Sequence, residues 1–262
     1  MSQPTYNAEE MMTVCAARML PDRAVCFVGI GLPSTAANLA RLTHAPESVL
    51  IYESGPIGAK PSVLPLSIGD GELAETADTV VTTPEIFRYW LQGGRIDVGF
   101  LGAAQIDRYA NINTTVIGDY NKPQTRLPGA GGAPEIGSSA KEVLIIVKQS
   151  ERTFVEKLDF ITSVGFLTGS DARKRAGIAG SGPSAVITDL CILRPEPPEY
   201  ELVVSSIHPG ISEERIRSNT GWEISFSDQC SSTAPPTAHE LEVLRDLLAR
   251  TAIAHGTAEV PA

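Results

Sequence analysis

A glutamate at the end of a predicted strand is the residue best placed for covalent chemistry. Residues 48–52 favour a strand buried on both faces of a parallel sheet, and Glu53 follows them directly. Ligands of such sheets bind beyond the carboxyl ends of the strands, where a carboxylate can act as a nucleophile. Gly55 and Gly58 come next, and we expect them to leave room for a bulky substrate. A glutamate that only caps a loop would give the same local pattern.

Two glycine-rich segments could bind the oxyanion that an attack by Glu53 would create. The first, residues 29–33, joins a predicted strand to a predicted helix, where main-chain N–H groups face outward and favour an anion. The second, residues 128–134, has three glycines within four positions, which allows a close approach of the backbone that side chains would block. A flexible surface loop is the alternative for this second segment. The candidate donors are the amides of Ile30, Gly31, Gly131 and Gly132.

Amide and carboxylate side chains follow another predicted strand, residues 96–101. Gln105, Asp107, Asn111 and Asn113 lie in the segment after it. Such side chains could contact a substrate, and they can also fold a turn without any ligand. Gln105 and Asn111 are therefore candidate binding residues with a structural alternative.

The order of the elements predicts the fold class. Strand patterns alternate with helical patterns along residues 1–262, which predicts a single α/β domain with a mostly parallel sheet flanked by helices. Loops as long as residues 123–137 and 167–183 are more often functional than idle in such a fold. The predicted strands cover residues 24–30, 48–52, 79–81, 96–101, 142–147, 185–192 and 201–207.

Capping signals mark the predicted helices. Asn7 and Glu10 have a capping-box spacing before the first helix, and Thr237 and Glu240 repeat it before the last. The second helix is expected over roughly residues 34–42. The residues expected to line the buried face of the last helix are Leu241, Leu244 and Leu248.

Composition and charge exclude several classes of function. The formal charge is −10 without any run of basic residues, so a nucleic-acid partner or an anionic membrane surface is not expected. No stretch reaches the roughly 18 apolar residues of a membrane helix, and a reducing cytoplasm is the expected location. Four widely separated cysteines, Cys15, Cys26, Cys191 and Cys230, predict free thiols and no metal site.

Two other catalytic interpretations have weak support. A nicotinamide site would need a third glycine where Ser34 stands. Ser/His/Asp catalysis would need an elbow motif, and none of the four histidines belongs to one. His208 fits a hydrogen bond at the end of a strand instead.

Taken in order, the glycine and polar segments resemble the catalytic β subunit of class I coenzyme A transferases. The resemblance covers residues from about 8 to 250 and includes residues 51–61 and 66–76. The short motifs that carry it are residues 29–33, 53–55, 102–107, 111–113 and 129–133.

This resemblance implies a reaction and a nucleophile. Glu53 would exchange CoA between an acyl-CoA, such as succinyl-CoA, and a 3-oxo acid such as 3-oxoadipate. Its carboxylate would first form a mixed anhydride with the acyl group and then a glutamyl-CoA thioester. Coenzyme A would thus be a substrate, and no permanently bound cofactor or metal is expected.

The resemblance also implies partners and further contacts. A homologous α subunit would complete the site, most simply as α2β2, so the chain alone is expected to be inactive. Lys60 is a candidate for contact with a CoA phosphate, although an exposed lysine is the plainer interpretation. The candidates for the remote carboxylate of a dicarboxylic substrate, each with a solvated surface role as the alternative, are Arg88, Arg108 and Arg126.

Two departures from the family pattern leave alternatives open. Ser54 replaces the usual asparagine after the glutamate, as in the glutaconate-type branch, which widens the range of acyl groups. Ala110 replaces a glycine before Asn111, so the geometry of that turn need not be the one usual in the family. The alternatives are a glutaconate-type transferase, a CoA-ester or ring-cleaving hydrolase subunit on the same fold, and a non-enzymatic ligand-binding module.

Overall fold

The structure, a computed structural model, describes residues 5–257. The helices are α1 (Ala8–Arg18), α2 (Leu32–Leu42), α3 (Gly71–Glu75), α4 (Thr83–Glu85), α5 (Ala133–Ser139), α6 (Ala172–Arg175), α7 (Glu213–Ser218) and α8 (Ala238–Ala254), and a π-helical segment, Ile86–Leu91, continues α4. The strands are β1 (Val25–Phe27), β2 (Val49–Ile51), β3 (Pro56–Ile57), β4 (Thr79–Val80), β5 (Val98–Leu101), β6 (Gln105–Ile106), β7 (Ile112–Asn113), β8 (Val116–Gly118), β9 (Pro123–Arg126), β10 (Glu142–Ile146), β11 (Pro183–Ile187), β12 (Cys191–Glu196), β13 (Glu201–Ile207) and β14 (Ser225–Ser232).

These elements form two compact units. The first contains residues 5–98 and 236–257, and the second contains residues 99–235. The single domain inferred from the sequence stays a prediction.

In the first unit, the strands lie in the order β1, β2, β3, β4. β1 and β2 are parallel, with Val25 opposite Val49 and Phe27 opposite Ile51. β3 pairs antiparallel with β2, and β4 pairs antiparallel with β3. Because β1 and β2 are parallel and in register, their carboxyl ends lie side by side at one edge. The loops that leave these two strands therefore start next to each other.

Helix α8 packs on α1 through two forked ion pairs. Nε and Nη2 of Arg18 donate to the two carboxylate oxygens of Glu240, both at 2.7 Å. Nε of Arg245 donates to Glu10 at 2.6 Å. The pairs join the end of α1 to the start of α8 and the start of α1 to the middle of α8, so the two helices run antiparallel. Both predicted capping boxes are present, which confirms those two helix starts.

The buried face of α8 differs from the prediction by one position. Leu241, Leu244 and Leu247 are buried, whereas Leu248 is 42% exposed. Leu248 lies on the same face as Leu244, four positions earlier, and the two line one open cavity beside α1 and α2. The expectation that Leu248 is buried is therefore wrong, because this part of the face borders the open cavity.

In the second unit, the strands of the main sheet lie in the order β5, β10, β11, β12, β13, β14. β10 and β11 are parallel, β11, β12 and β13 form an antiparallel meander, and β14 is parallel to β13. Both units thus combine parallel strands with antiparallel additions and carry helices. The predicted α/β fold class is confirmed.

The strand predicted over residues 185–192 is wrong, because two strands meet there. The hydroxyl of Thr188 accepts hydrogen bonds from the N–H groups of Leu190 and Cys191 at 3.0 and 2.9 Å, which folds a tight turn between β11 and β12.

The ring nitrogens of His208 lie 2.9 Å from the Thr188 carbonyl oxygen and 3.1 Å from the Thr233 hydroxyl. His208 therefore has the structural role that its position predicted.

The four cysteines are free, as predicted. Cys15, Cys26 and Cys191 are buried, and burial raises the pKa of Cys15 and of Cys191 to about 12. These thiols stay protonated at neutral pH and behave as core residues. None of the helices within residues 5–257 is long and apolar enough to cross a membrane.

Candidate active site

Glu53 lies at the corner of a tight hairpin between β2 and β3. The N–H of Gly55 donates to the carbonyl oxygen of Tyr52 at 3.0 Å, and the N–H of Tyr52 donates to the carbonyl oxygen of Pro56 at 3.1 Å. Glu53 and Ser54 are the two central residues of this turn, and both are half-buried. Glu53 follows the carboxyl end of the buried strand β2, as the sequence pattern predicted, and its role as the nucleophile stays a prediction. The antiparallel return of the chain through β3 was not predicted.

The two glycines after Glu53 make room for the chain itself. Gly55 has a φ of +121°, and a Cβ there would overlap the carbonyl oxygen of Val81. Gly58 has a φ of +68°, and a Cβ there would overlap the carboxylate of Asp78. The expectation that these glycines leave room for a substrate is wrong, because the segment around β4 already occupies the space.

The loop after β1 lies beside the turn that carries Glu53. The N–H of Val28 donates to the carbonyl oxygen of Ile51 at 2.9 Å, which joins the two chain segments at the point where both strands end. Neighbouring strands lie about 4.8 Å apart, so the segment containing Ile30 and Gly31 leaves the sheet next to Glu53. Ile30 is 37% exposed. The structure thus brings together three of the predicted site residues.

Gly31 has a backbone conformation that strongly favours glycine. It is the N-cap residue of α2, with φ +84° and ψ −138° and no side chain to cap the helix. A Cβ at this position would meet no atom within 4 Å. The loop therefore needs glycine for its conformation, and its surface is open on that side. Helix α2 begins at Leu32, two residues before the predicted start.

A buried polar network holds the turn from behind, and no pattern in the sequence indicates it. The hydroxyl of Tyr52 lies 3.3 Å from the hydroxyl of Ser34 and accepts a 3.5 Å hydrogen bond from Nδ2 of Asn38. All three side chains are at most 1% exposed. Both partners belong to α2, so the residue before Glu53 is bonded to the helix that follows the Gly31 loop.

The second glycine segment has open space beside two of its glycines. Gly129 and Gly131 have φ values of +108° and +49°, and a Cβ on either would meet no atom within 4 Å. Gly132 is the N-cap residue of α5. The glycines at 129 and 131 serve the conformation of the loop, and the close approach of this backbone to a ligand stays a prediction. The role of Gly131 and Gly132 as hydrogen-bond donors stays a prediction.

Asn111 is fully buried and has several partners inside the second unit. Its Nδ2 donates to Asp107 and to the carbonyl oxygen of Leu167, both at 2.8 Å, and its Oδ1 accepts from Gly165 at 2.9 Å. Ala110 has a φ of +56°, so an alanine adopts the left-handed conformation that suits glycine better. Burial raises the pKa of Asp107, and the hydrogen bonds from Asn111 and Tyr109 oppose that rise.

Gln105 is likewise held by its neighbours. Its Oε1 accepts from Asn113 at 2.7 Å and its Nε2 donates to Asp159 at 3.0 Å. The amides of Gln105 and Asn111 therefore join the segment after β5 to residues 159–167. Both side chains thus have a role in the fold that needs no ligand. Their contact with a substrate stays a prediction.

Arg126 and Lys60, two of the four cationic candidates, have partners of their own. Arg126 lies over the ring of Tyr120, 4.7 Å from its centroid, and donates to the Tyr120 carbonyl oxygen at 2.6 Å. Lys60 forms an exposed ion pair with Asp78 at 3.1 Å. Both contacts leave parts of the cations in solvent, and their roles in substrate binding stay predictions. Across residues 5–257, no three His, Cys, Asp or Glu side chains gather as they would around a metal ion.

Comparisons with known proteins identify the family. The family model described as "Coenzyme A transferase" matches residues 9–219. The chain is 72% identical over 251 residues to one subunit of the 3-oxoadipate CoA-transferase of Pseudomonas knackmussii, which covers 96% of each chain. It is 34% identical to one subunit of the glutaconate CoA-transferase of Acidaminococcus fermentans, over 89% of each chain. The crystal structure of glutaconate coenzyme A-transferase from Acidaminococcus fermentans matches with a TM-score of 0.89 and 29% identity, over 99% of this chain and 100% of that one. The chain therefore belongs to the coenzyme A transferase family, as a β subunit of its class I enzymes.

Proposed function

We propose that the chain is the catalytic β subunit of an enzyme that moves CoA from succinyl-CoA to 3-oxoadipate. The observation that carries the chemistry is the position of Glu53, at the corner of a hydrogen-bonded turn beside a glycine loop that is open at Gly31. The acids are proposed from the relative that shares 72% of its residues with this chain.

The reaction proceeds through two acyl transfers on the side chain of Glu53. A carboxylate oxygen of Glu53 attacks the thioester carbonyl carbon, the C–S bond breaks, and CoA leaves as a thiolate with a mixed anhydride on the enzyme. The thiolate then attacks the glutamyl carbonyl carbon and releases succinate, leaving a glutamyl-CoA thioester. The carboxylate of 3-oxoadipate reverses the two steps and leaves as its CoA ester. No general base is needed, because a carboxylate is already ionised at neutral pH.

Each tetrahedral intermediate places a negative charge on an oxygen that needs hydrogen-bond donors. The main-chain amides of Ile30 and Gly31 lie on the loop beside Glu53, and one of them is the proposed donor. Loss of one such donor lowers the rate of other acyl-transfer enzymes about 10²- to 10³-fold. The amides of Gly131 and Gly132 are proposed from the family resemblance as a second pair.

The remaining parts of the proposal concern binding and assembly. Gln105, Asn111 and Arg126 are proposed to contact the acyl group, and Lys60 a phosphate of CoA. A homologous α subunit completes the enzyme as α2β2, CoA is a substrate bound covalently only in the intermediate, and no cofactor is held permanently. A cytoplasmic location belongs to the same proposal.

Replacement of the nucleophile tests this function. In a complex with the α subunit, Glu53→Gln is expected to lower transfer between succinyl-CoA and 3-oxoadipate by about 10³-fold or more, because an amide cannot form the anhydride. With succinyl-CoA alone, hydroxylamine or borohydride should inactivate the parent enzyme and modify the peptide that contains residue 53. The matched control is Glu75→Gln, which changes an exposed glutamate of the same unit.

Three outcomes would contradict the proposal. Unchanged turnover of the Glu53→Gln complex would exclude a glutamyl intermediate. Release of free CoA without any acceptor acid, at the rate of the full reaction, would favour a hydrolase. Rapid transfer to glutaconate and none to 3-oxoadipate would assign the chain to the glutaconate-type branch.

A further inference from the structure

The turn that carries Glu53 and the helix that follows the Gly31 loop share one buried hydrogen-bond network. Its centre is the hydroxyl of Tyr52, which lies 3.3 Å from Oγ of Ser34 and 3.5 Å from Nδ2 of Asn38. Nδ2 of Asn38 donates to this hydroxyl and lies 3.4 Å from Oγ of Ser34, and either of the two hydroxyls can donate to the other. The three side chains therefore bond to one another as a closed group.

The network has little freedom to rearrange. Nδ2 of Asn38 also donates to the Ser34 carbonyl oxygen at 3.0 Å, and its Oδ1 accepts from Nη2 of Arg41 at 3.2 Å. The same nitrogen of Arg41 donates to the carbonyl oxygen of Pro61 at 2.9 Å. The amide is thus held on both sides, and the segment that leaves the hairpin is bonded to the network as well.

Stability gives only a weak reason for a tyrosine at this position. A phenylalanine would keep the buried ring, and a satisfied buried hydrogen bond adds little net stability. The hydroxyl has a clearer geometric effect, since Tyr52 is the residue before Glu53 and Ser34 is the third residue after Gly31. It therefore joins the chain segment of the nucleophile to that of the amide donors.

We propose that Tyr52 is a positioning residue whose hydroxyl sets the distance between the carboxylate of Glu53 and the amides of Ile30 and Gly31. The proposal rests on the function proposed above. Displacement of a reacting group by about 1 Å can cost 10²-fold in rate, so a single hydrogen bond behind the turn can control turnover without touching substrate. Burial raises the pKa of Tyr52, so the hydroxyl keeps its proton near neutral pH and has no part in proton transfer.

Removal of the hydroxyl from the assembled α and β complex tests the proposal. Tyr52→Phe is expected to lower kcat about 10- to 100-fold while the KM for succinyl-CoA stays within about twofold. Ser34→Ala removes the other end of the same bond and is expected to lower kcat in the same way. The double variant should lose no more than the stronger single variant, because both changes break one interaction.

The control removes a tyrosine hydroxyl at another place. Tyr200→Phe keeps the ring that stacks on Phe166 at 4.6 Å in the second unit, and its kcat should equal that of the parent. The melting temperature of each complex shows whether it is folded at the assay temperature. If Tyr52→Phe does not assemble, Ser34→Ala alone decides, because it deletes one oxygen and keeps the ring.

The outcomes separate this inference from the function beneath it. A kcat for Tyr52→Phe or Ser34→Ala equal to that of the parent, or losses that multiply in the double variant, would overturn the positioning role. If one of these results is found while Glu53→Gln is inactive in the same assay, only the positioning role fails and the proposed function stands. If Glu53→Gln is active, the proposed function fails, whatever the tyrosine variants do.

Discussion

At the scale of single residues, backbone conformation separates the positions where glycine is necessary from those where it is only convenient. Gly31 combines φ +84° with ψ −138°, a conformation that side chains avoid although no atom would obstruct one. Ala110 adopts a φ of +56°, which a residue with a Cβ tolerates at a cost. Glycine at position 31 is therefore necessary for the conformation of the loop beside Glu53. Position 110 can do without the glycine that is usual in the family.

Gly31→Ala is expected to lower kcat about 10²-fold, because the strained alanine turns the amides of the loop away from the oxyanion. The melting temperature should fall by only a few degrees, since the strain costs about 1 to 3 kcal/mol. Steady-state kinetics and thermal melting of the complex measure both effects.

Gly71→Ala is the matched control, because Gly71 starts a helix with open space at its Cβ and no positive φ. It should leave both quantities unchanged. Full activity of Gly31→Ala would show that the amides of this loop do not stabilise the transition state.

At the scale of elements, the two ends of the described chain are joined by α1 and α8. Burial alone would raise the pKa of Glu240, but hydrogen bonds from Arg18 and from Thr237 outweigh it and lower the pKa to about 2. A lowered pKa in the folded state stabilises the fold above the ordinary value near 4.5, and this stabilisation is lost as the pH falls from there towards 2. The contact between these helices should therefore weaken in acid.

Glu240→Gln is expected to lower the melting temperature at pH 7 by roughly 3 °C, for a loss of about 1 kcal/mol in a partly buried pair. Glutamine keeps the capping box, so the helix start should persist. Thermal melts in steps between about pH 7 and pH 3 should show the difference from the parent shrinking below about pH 4.5.

Glu242→Gln removes the same charge from an exposed position two residues along α8 and should change the melting temperature by less than about 1 °C. A gap between Glu240→Gln and the parent that stays constant with pH would refute the ionic origin of this contact.

The elements that can be predicted best are those in which one pattern dominates. β2 and β13 are apolar runs, and α1 and α8 begin at capping boxes, so local patterns are sufficient. β14 (Ser225–Ser232) was not predicted because its residues are mostly polar and half or fully exposed. The strands β11 and β12 merge into one apolar run because a threonine hydroxyl, and no glycine or proline, folds the turn between them.

The candidate site was predictable only in part, for a similar reason. Glu53 was predictable because a strand pattern ends there and glycines follow. The Tyr52 network was not, since it depends on a contact between residues 18 positions apart. In the sequence Ser34 only interrupts a dinucleotide fingerprint, whereas the structure shows it bonded behind the nucleophile's turn.

At the scale of the whole molecule, the family of the chain sets its need for a partner. The relatives at 72% and 34% identity are each one subunit of a CoA-transferase. We therefore expect the purified chain to show no transfer between succinyl-CoA and 3-oxoadipate, because the function proposed above requires the α subunit. Activity should appear when the homologous α subunit is produced with it.

Light scattering measures the assembly independently of turnover. The mass of the active complex should correspond to two copies of each subunit. The Glu53→Gln chain should form the same complex without activity, which separates assembly from chemistry. Full activity of the purified chain without its partner would contradict this expectation.

Strand β4 ends the sheet order of the first unit, and its Val80 side chain is 53% exposed. Edge strands present unpaired main-chain N–H and C=O groups to any other extended peptide, which promotes aggregation. β4 has only two residues and is paired to the glycine-rich return of the Glu53 hairpin, so a foreign peptide that added there would distort the hairpin itself. A chaperone that covered β4 while the chain folds would therefore prevent aggregation and would also keep the Glu53 hairpin from being distorted.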